Sequence, residues 1–225
     1  MEQKLYINIG PGKWKREGWK TLGDHTNYGV YKYECDYTYD LTSKKPIPID
    51  SNIVTLFYTV HVFEHISDGD IEYILKELYR CLKVYGGLRI LVPDVETGYS
   101  KFKNNEQEWF YIFNKNRRDD IKNFVHMFYD GPLDKIEFIK KYYTMEMEEL
   151  FEYYTKGLKQ DIKNQGNHIN WFTYKKLKQM LMDAGFDIIY KIEPNKSYYK
   201  EISENKLDNY KYRNRWSLIV EAIKT

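Results

Sequence analysis

Lys4-Leu-Tyr-Ile-Asn-Ile-Gly-Pro-Gly-Lys13 is the stretch on which the fold turns. A strand-like apolar run, Lys4–Ile9, enters Gly10-Pro11-Gly12. Glycines let the backbone turn sharply and approach a ligand closely, which is how α/β proteins bring a strand end to a cofactor. A two-glycine loop after a strand is, by itself, an ordinary turn. Its weight comes from the order of the motifs downstream in the chain.

Trp19–Asp24 reads as a second strand ending on Gly23-Asp24-His25. The gap between the two is too short for a full crossover helix, which normally makes the connection a dozen residues or more, so a shortened first crossover is expected. Tyr31–Tyr39 reads as a third strand, ending at Asp40-Leu41. Pro46-Ile-Pro48 breaks the chain before Asn52–Val60, whose β-branched and aromatic residues predict a central strand. His61-Val-Phe-Glu64-His65 then falls at that strand's carboxyl end.

The clearest helix comes next. Ser67 with Asp70 forms a capping-box-like start, and Ile71, Ile74, Leu75, Leu78 and Leu82 make one apolar stripe at helical spacing. Gly86-Gly87 is expected to stop this helix, and Leu88–Pro93 to be the strand that answers it. Residues 95–165 change character, being charged and aromatic with helical stripes such as Trp109, Phe110 and Phe113. An insertion of that length between sheet strands predicts a lid or an oligomer contact. Thr173 is placed to cap a further helix, with Phe172 stapling onto Leu177 and Gly185 as its C′ glycine. Phe186–Ile192 and Trp216–Ile223 are the last strands, joined by a charged, tyrosine-rich linker expected to be partly mobile.

Composition narrows the class. The chain has 225 residues, 42% of them hydrophobic, enough for one α/β domain with an insertion. A net charge of +2 provides no field for nucleic acid, and the 23 tyrosines lack a basic groove that would make them a stacking surface. Cys35 and Cys81 fit no metal spacing and suggest a reducing interior, so no metal is expected. No apolar run approaches the ~20 residues of a membrane span, and a cytoplasmic protein is expected.

A nucleoside-bearing cofactor at such a sheet edge needs a glycine loop, then an acceptor for the ribose hydroxyls after the second strand, where Asp24 stands. Asp40-Leu41 is placed to meet an adenine edge. Lys15 occupies the place where a dinucleotide fingerprint has its third glycine, which argues against NAD and FAD. An adenosyl cofactor without phosphates needs neither that glycine nor the missing helix terminus.

Taken in order, Ile-Asn-Ile-Gly-Pro-Gly12, Glu17-Gly-Trp19 before Asp24, Asp40-Leu41 with Pro46-Ile-Pro48, His61-Val-Phe-Glu64-His65, Leu75–Lys83, Gly86–Asp94, and Gly166-Asn-His168 through Phe186 resemble the class I S-adenosylmethionine-dependent methyltransferases. Within them the chain is similar to the compact type 11-like group associated with bacterial surface-polysaccharide synthesis. The resemblance implies a Rossmann-like seven-stranded sheet built from residues 1–94 and 166–225, with 95–165 as a helical lid. It implies S-adenosylmethionine as cofactor, with Ile9, Gly10, Pro11 and Gly12 along the methionine portion. Asp24 would hold the ribose, with His25 next to it a further cofactor-binding residue, Asp40 and Leu41 would hold the adenine, and Thr59, Val60 and His61 would line the sulfonium side.

Two departures stand out: Pro11 removes one N–H donor from the loop, and Lys13, Lys15 and Arg16 crowd it with positive charge. The catalytic candidates are His61, Asp94 and His168, while Glu64 and His65 read as structural and His126 falls in the insertion. The implied acceptor is a small or glycan-linked, anionic or hydroxyl-bearing molecule under the lid, and the lid is a candidate homodimer face. The alternatives are a catalytically silent scaffold on the same fold, or a nicotinamide dehydrogenase.

Overall fold

The computed structural model describes residues 4–24, 34–110, 119–160, 166–210 and 213–225. β1 (Tyr6–Ile9) lies inside the sheet, with Ile7 and Ile9 fully buried, and it pairs in parallel with β2 (Trp19–Gly23) on one side and β4 (Val54–Val60) on the other. β3 (Tyr37–Thr38) extends β2, and β5 (Leu82–Pro93) pairs in parallel with β4. β7 (Ser217–Ile223) runs antiparallel between β5 and β6 (Ile188–Lys191), giving the order β3-β2-β1-β4-β5-β7-β6. This is the Rossmann-like seven-stranded sheet that the resemblance implies.

The order fixes where a ligand belongs. The chain builds outward from β1 to β3, then returns to the other side of β1 for β4. The direction of winding therefore reverses between β1 and β4. In open α/β sheets the crevice outside the carboxyl ends of the strands at such a reversal is the ligand site.

Both faces of the parallel strands are covered, as parallel sheets require. Ile7, Ile9, Phe57, Ile90 and Val92 face α1 (Asp68–Cys81) and α7 (Tyr174–Asp183), which bring Ile71, Ile74, Leu75, Leu78, Leu177 and Leu181 into one core. Leu56, Tyr58 and Leu91 face the other way, onto Ile202 of α8 (Lys200–Ser203) and Leu207. The described residues between 95 and 155 include α2 (Val95–Lys103), α3 (Gln107–Phe110), α4 (Asp120–Val125), α5 (Lys135–Thr144) and α6 (Met147–Thr155). They close a second core around Phe110, Phe124, Phe128, Phe138 and Phe151. Phe102 stacks on Phe124 at 4.9 Å, and a Cβ on Gly98 would come within 2.4 Å of Met127 Sδ, so α2 and Met127 touch through a glycine.

The first crossover is shortened as expected: no helix lies between β1 and β2, and residues 10–18 close the parallel connection as turns, through Trp14 N–H to Pro11 O and Trp19 N–H to Arg16 O. Other expectations need correcting. The third strand is two residues long, with 25–33 outside the described residues. Gly86-Gly87 does not stop α1. The helix ends at Cys81, Leu82 turns extended at φ −66°, ψ 136°, and the glycines lie within β5. Their reason is space, since a Cβ on Gly86 would stand 2.9 Å from Val54 O and one on Gly87 2.3 Å from the Tyr199 ring. Ser67 does not cap a backbone N–H; its hydroxyl donates to Asp70 Oδ2 at 2.6 Å. Thr173 does cap α7, accepting from Lys176 N at 3.1 Å, and Gly185 ends it at φ +108°.

The charged linker after β6 carries much more than its composition suggests. Asp208 and Ile202 are fully buried, and Asp208 meets the fully buried Arg89, which also donates to Glu221 Oε2 at 2.9 Å. Among the described residues, no helix is long and apolar enough to cross a membrane.

Candidate functional site

The β1 loop sits at the reversal point. Gly10 and Gly12 both take left-handed conformations, φ +61° and +54°. Gly10 N–H is held by Leu22 O at 2.9 Å, which ties the loop to β2. A Cβ on Gly10 would lie 2.5 Å from Val62 Cγ2, whereas above Gly12 no heavy atom stands within 4 Å of that position. The loop is thus pressed against the end of β4 at its first glycine and open at its second.

Asp24 follows β2 and is half-buried; Asp40 and Leu41, also half-buried, follow β3. Asp40 Oδ1 accepts from Thr42 N and Thr42 Oγ1, both at 2.8 Å, so a local turn fixes its direction and leaves Oδ2 for another donor. Thr59 pairs in register with Ile9 across β1 and β4. It is 1% exposed, and among the described residues its hydroxyl has no partner. A buried hydroxyl left unpaired costs about 1–3 kcal/mol, so a polar group beside it at a ligand crevice has a physical rationale. The open Gly12, the carboxylates after β2 and β3, and the unpartnered Thr59 fit an adenosyl cofactor. Val60 continues β4 to its end; His25 lies outside the described residues.

Past β4 the chain makes a sharp corner, with His61 at φ +54° and a short 3-10 turn over Phe63–His65. This corner forms one wall of a cavity of about 690 Å³. The helical insertion contributes Lys122, His126 and Asp130 to its lining, while His168, Arg213 and Trp216 come from the returning chain. The volume is that of ordinary small-molecule pockets.

Four histidines and two carboxylates meet here. His61 Nδ1 lies 2.8 Å from Glu64 Oε1 and its Nε2 2.9 Å from Ser217 Oγ, so both ring nitrogens are engaged. The Ser217 hydroxyl donates onward to Arg213 O. Glu64 is fully buried, which opposes its charge, but the His61, His65 and His168 rings around it hold its carboxyl down at about 2. His168, 7% exposed, has its pKa pushed down to about 4, chiefly by burial, and is neutral at pH 7. His126, more exposed, hydrogen-bonds Asp130 through Nδ1 and stacks on His168 at 4.8 Å. Asp130 Oδ2 accepts from the His168 backbone N–H at 2.8 Å.

Two of the three expected catalytic residues, His61 and His168, line this cavity; Asp94 is placed otherwise. Its carboxylate caps α2, accepting from Thr97 N at 3.0 Å, and pairs with Lys191 Nζ at 3.1 Å. Glu64 and His65, read from the sequence as structural, belong to the site. So does the His126–Asp130 pair, which lies just past the end of α4 and not on one helix face.

No protein-family model matches the chain, and no curated protein matches it in sequence. Solved structures do match in architecture. A SAM-dependent methyltransferase from Aquifex aeolicus aligns at 14% identity and TM-score 0.45, over 100% of this chain and 84% of that one. One from Methanosarcina mazei aligns at 14% identity and TM-score 0.48, over 100% and 93%. Human N-acetylserotonin methyltransferase, solved in complex with SAM, aligns at 12% and TM-score 0.47, over 98% of this chain but only 47% of its own. At these identities and TM-scores the likeness says nothing of chemistry, which rests on the residues themselves.

Proposed function

We propose that this chain transfers a methyl group from S-adenosylmethionine to an oxygen of an acceptor held in the lid cavity. The observation that carries the reading is the continuity of the chain at one sheet edge. Thr59, beside the β1–β4 reversal with its open glycine, stands two residues before His61, which lines the cavity. When bound, the cofactor supplies a methyl already activated by its sulfonium.

The chain's own task is then alignment and proton management. Gly10 and Gly12 let backbone approach the cofactor, and Asp24 and Asp40 offer carboxylates to its hydroxyls and its base. On the acceptor side, His126 is oriented by Asp130 as a carboxylate orients an imidazole base, leaving Nε2 for an acceptor proton. His61 and His168 line the cavity, His61 directly after the end of β4.

For the acceptor class we propose a sugar hydroxyl or phosphate-type oxygen of a surface-glycan precursor. The sequence resemblance supports it, together with Lys122 and Arg213 in the cavity wall, which suit an anionic group.

Calorimetric titration with S-adenosylmethionine and S-adenosylhomocysteine tests the reading. Micromolar binding of both is expected, weakened by about tenfold or more in Asp24→Ala, which removes a charge-assisted acceptor. Binding unchanged in that variant refutes the ribose assignment. A folded protein that binds neither compound refutes the enzyme reading in favour of the scaffold, whose motive is Pro11 and the helix-free connection after β1.

A further inference from the structure

The floor of the cavity contains two buried polar atoms that the fold leaves unsatisfied. Glu64 is fully buried and, among the described residues, its Oε2 has no hydrogen-bond partner. His168 is 7% exposed and its Nδ1 has none either, while its Nε2 lies 3.9 Å from Glu64 Oε1. Beside them His65 places Nδ1 2.9 Å from Asn167 O. A carbonyl only accepts, so that nitrogen donates, and Nε2 carries the lone pair. Metal-binding histidines commonly donate their other ring N–H to a backbone carbonyl in this way, which fixes the tautomer and the ring direction. One donor atom from each of Glu64, His65 and His168 lies within 4.8 Å of the others.

We propose that Glu64, His65 and His168 bind one divalent transition-metal ion of the zinc class, with its open coordination position facing the cavity. Two imidazoles and one carboxylate are a donor set that zinc accepts in sites with an open position, and iron(II) and manganese(II) are hosted by similar sets. Bonds of about 2.0–2.1 Å put tetrahedral donors about 3.3 Å apart, so the side chains need close in by no more than about 1.5 Å. The backbone already holds the two sides together: Ile169 N–H and Asn170 N–H both donate to Glu64 O, at 2.9 and 3.1 Å. A cation bound by one donor atom from each residue takes water or an acceptor oxygen as its remaining ligand.

A neighbouring set, His126, Asp130 and His168, has similar spacing but does not ask for an ion. Both Asp130 oxygens are already used, one by His126 Nδ1 and the other by the His168 N–H. The zinc-class site stands independently of cofactor binding, because its ligands are not those of the β1 loop.

The test is equilibrium dialysis of untagged protein against zinc, with metal analysis, and thermal melts with and without zinc. A Cys35→Ser background removes the half-buried thiol as a competing ligand. The proposal expects about one equivalent bound, a melting point that rises with zinc concentration, and reversal by chelator. His65→Ala and His168→Ala, each checked for folding by circular dichroism, should lose affinity by about tenfold or more. His65 is the less buried of the two, which guards against a variant that simply fails to fold. His126→Ala should retain the ion. Sub-stoichiometric binding by the starting protein overturns the proposal. So does full binding in folded His65→Ala, or loss of binding in His126→Ala alone, which would move the ion to the neighbouring set.

Discussion

Arg89→Met is the perturbation that asks most of the sheet. Arg89 and Glu221 face each other as a direct pair across β5 and β7, and both are fully buried. The guanidinium donates through Nε to Asp208 Oδ1 at 3.1 Å, through a second nitrogen to Asp208 Oδ2, and through Nη1 to Glu221 Oε2 at 2.9 Å. Methionine keeps most of the volume and leaves two buried carboxylates without their cation. Removing one member of a buried ion pair costs about 3–5 kcal/mol. Here the lower end is expected, because each carboxylate keeps other donors. Tyr58 Oη and Asn195 N remain on Asp208, at 3.1 and 2.7 Å, and Ser197 Oγ and Tyr198 N remain on Glu221, at 2.6 and 3.0 Å.

At about 2–4 °C per kcal/mol for a chain of this size, a loss of about 3 kcal/mol lowers Tm by about 6–12 °C. The variant should also acquire a pH signature. Two facing buried carboxylates without a cation repel one another, and acid relieves that repulsion, so the variant gains stability, relative to the parent, as pH falls. Melts of both proteins from pH 8 to pH 5 measure this. A drop smaller than about 1 kcal/mol, or a gap that does not narrow toward acid, refutes the claim that this network is held by its charge. Because β7 also supplies Ser217 to His61, a loosened β5–β7 pairing should reach the cavity as well.

Two further perturbations separate structural from binding roles. Gly10→Ala combines a left-handed backbone, costing about 1–2 kcal/mol, with a methyl forced against Val62 that adds about 1–3 kcal/mol, so it should destabilise the fold in urea melts; Gly12→Ala meets only the backbone cost and should instead weaken cofactor binding. Equal stability losses in the two variants would contradict this division. Glu77 accepts from Ile47 N and Arg80 Nη2, both at 2.8 Å, and Arg80 beside it, with those hydrogen bonds, holds its carboxyl below the ordinary 4.5. Its stabilisation is therefore full above that value and lost as pH falls through the lowered one, so Glu77→Gln should cost about 1–2 kcal/mol at pH 7 and progressively less below pH 4.5. A cost that stays constant down to pH 3 would show that the carboxyl's charge is not what matters.

What the sequence shows and what it hides divide along one physical line. Local patterns translate directly: the stripe Ile71, Ile74, Leu75, Leu78 buries itself in α1, Thr173 caps α7, and the apolar run before Gly10 becomes a strand inside the sheet. Each is decided by residues within a few positions of one another. The misreadings occur where a distant segment supplies the reason. Gly86-Gly87 looks like a helix stop until Tyr199 and Val54 are seen to need the room, and the 193–210 linker looks mobile until Asp208 is found against Arg89. The site obeys the same rule. His61 at a strand end is a local feature and is legible. The meeting of Glu64 and His65 with His168 is not, because it depends on Ile169 and Asn170 returning their N–H groups to Glu64 O after the whole lid has intervened. Those two backbone bonds bring two residues that read as structural into contact with one that reads as catalytic. The make-up of this cavity is therefore a property of how the chain after the helical insertion returns to the sheet, and a substitution that displaces residues 169–170 should disturb it without changing any of its lining side chains.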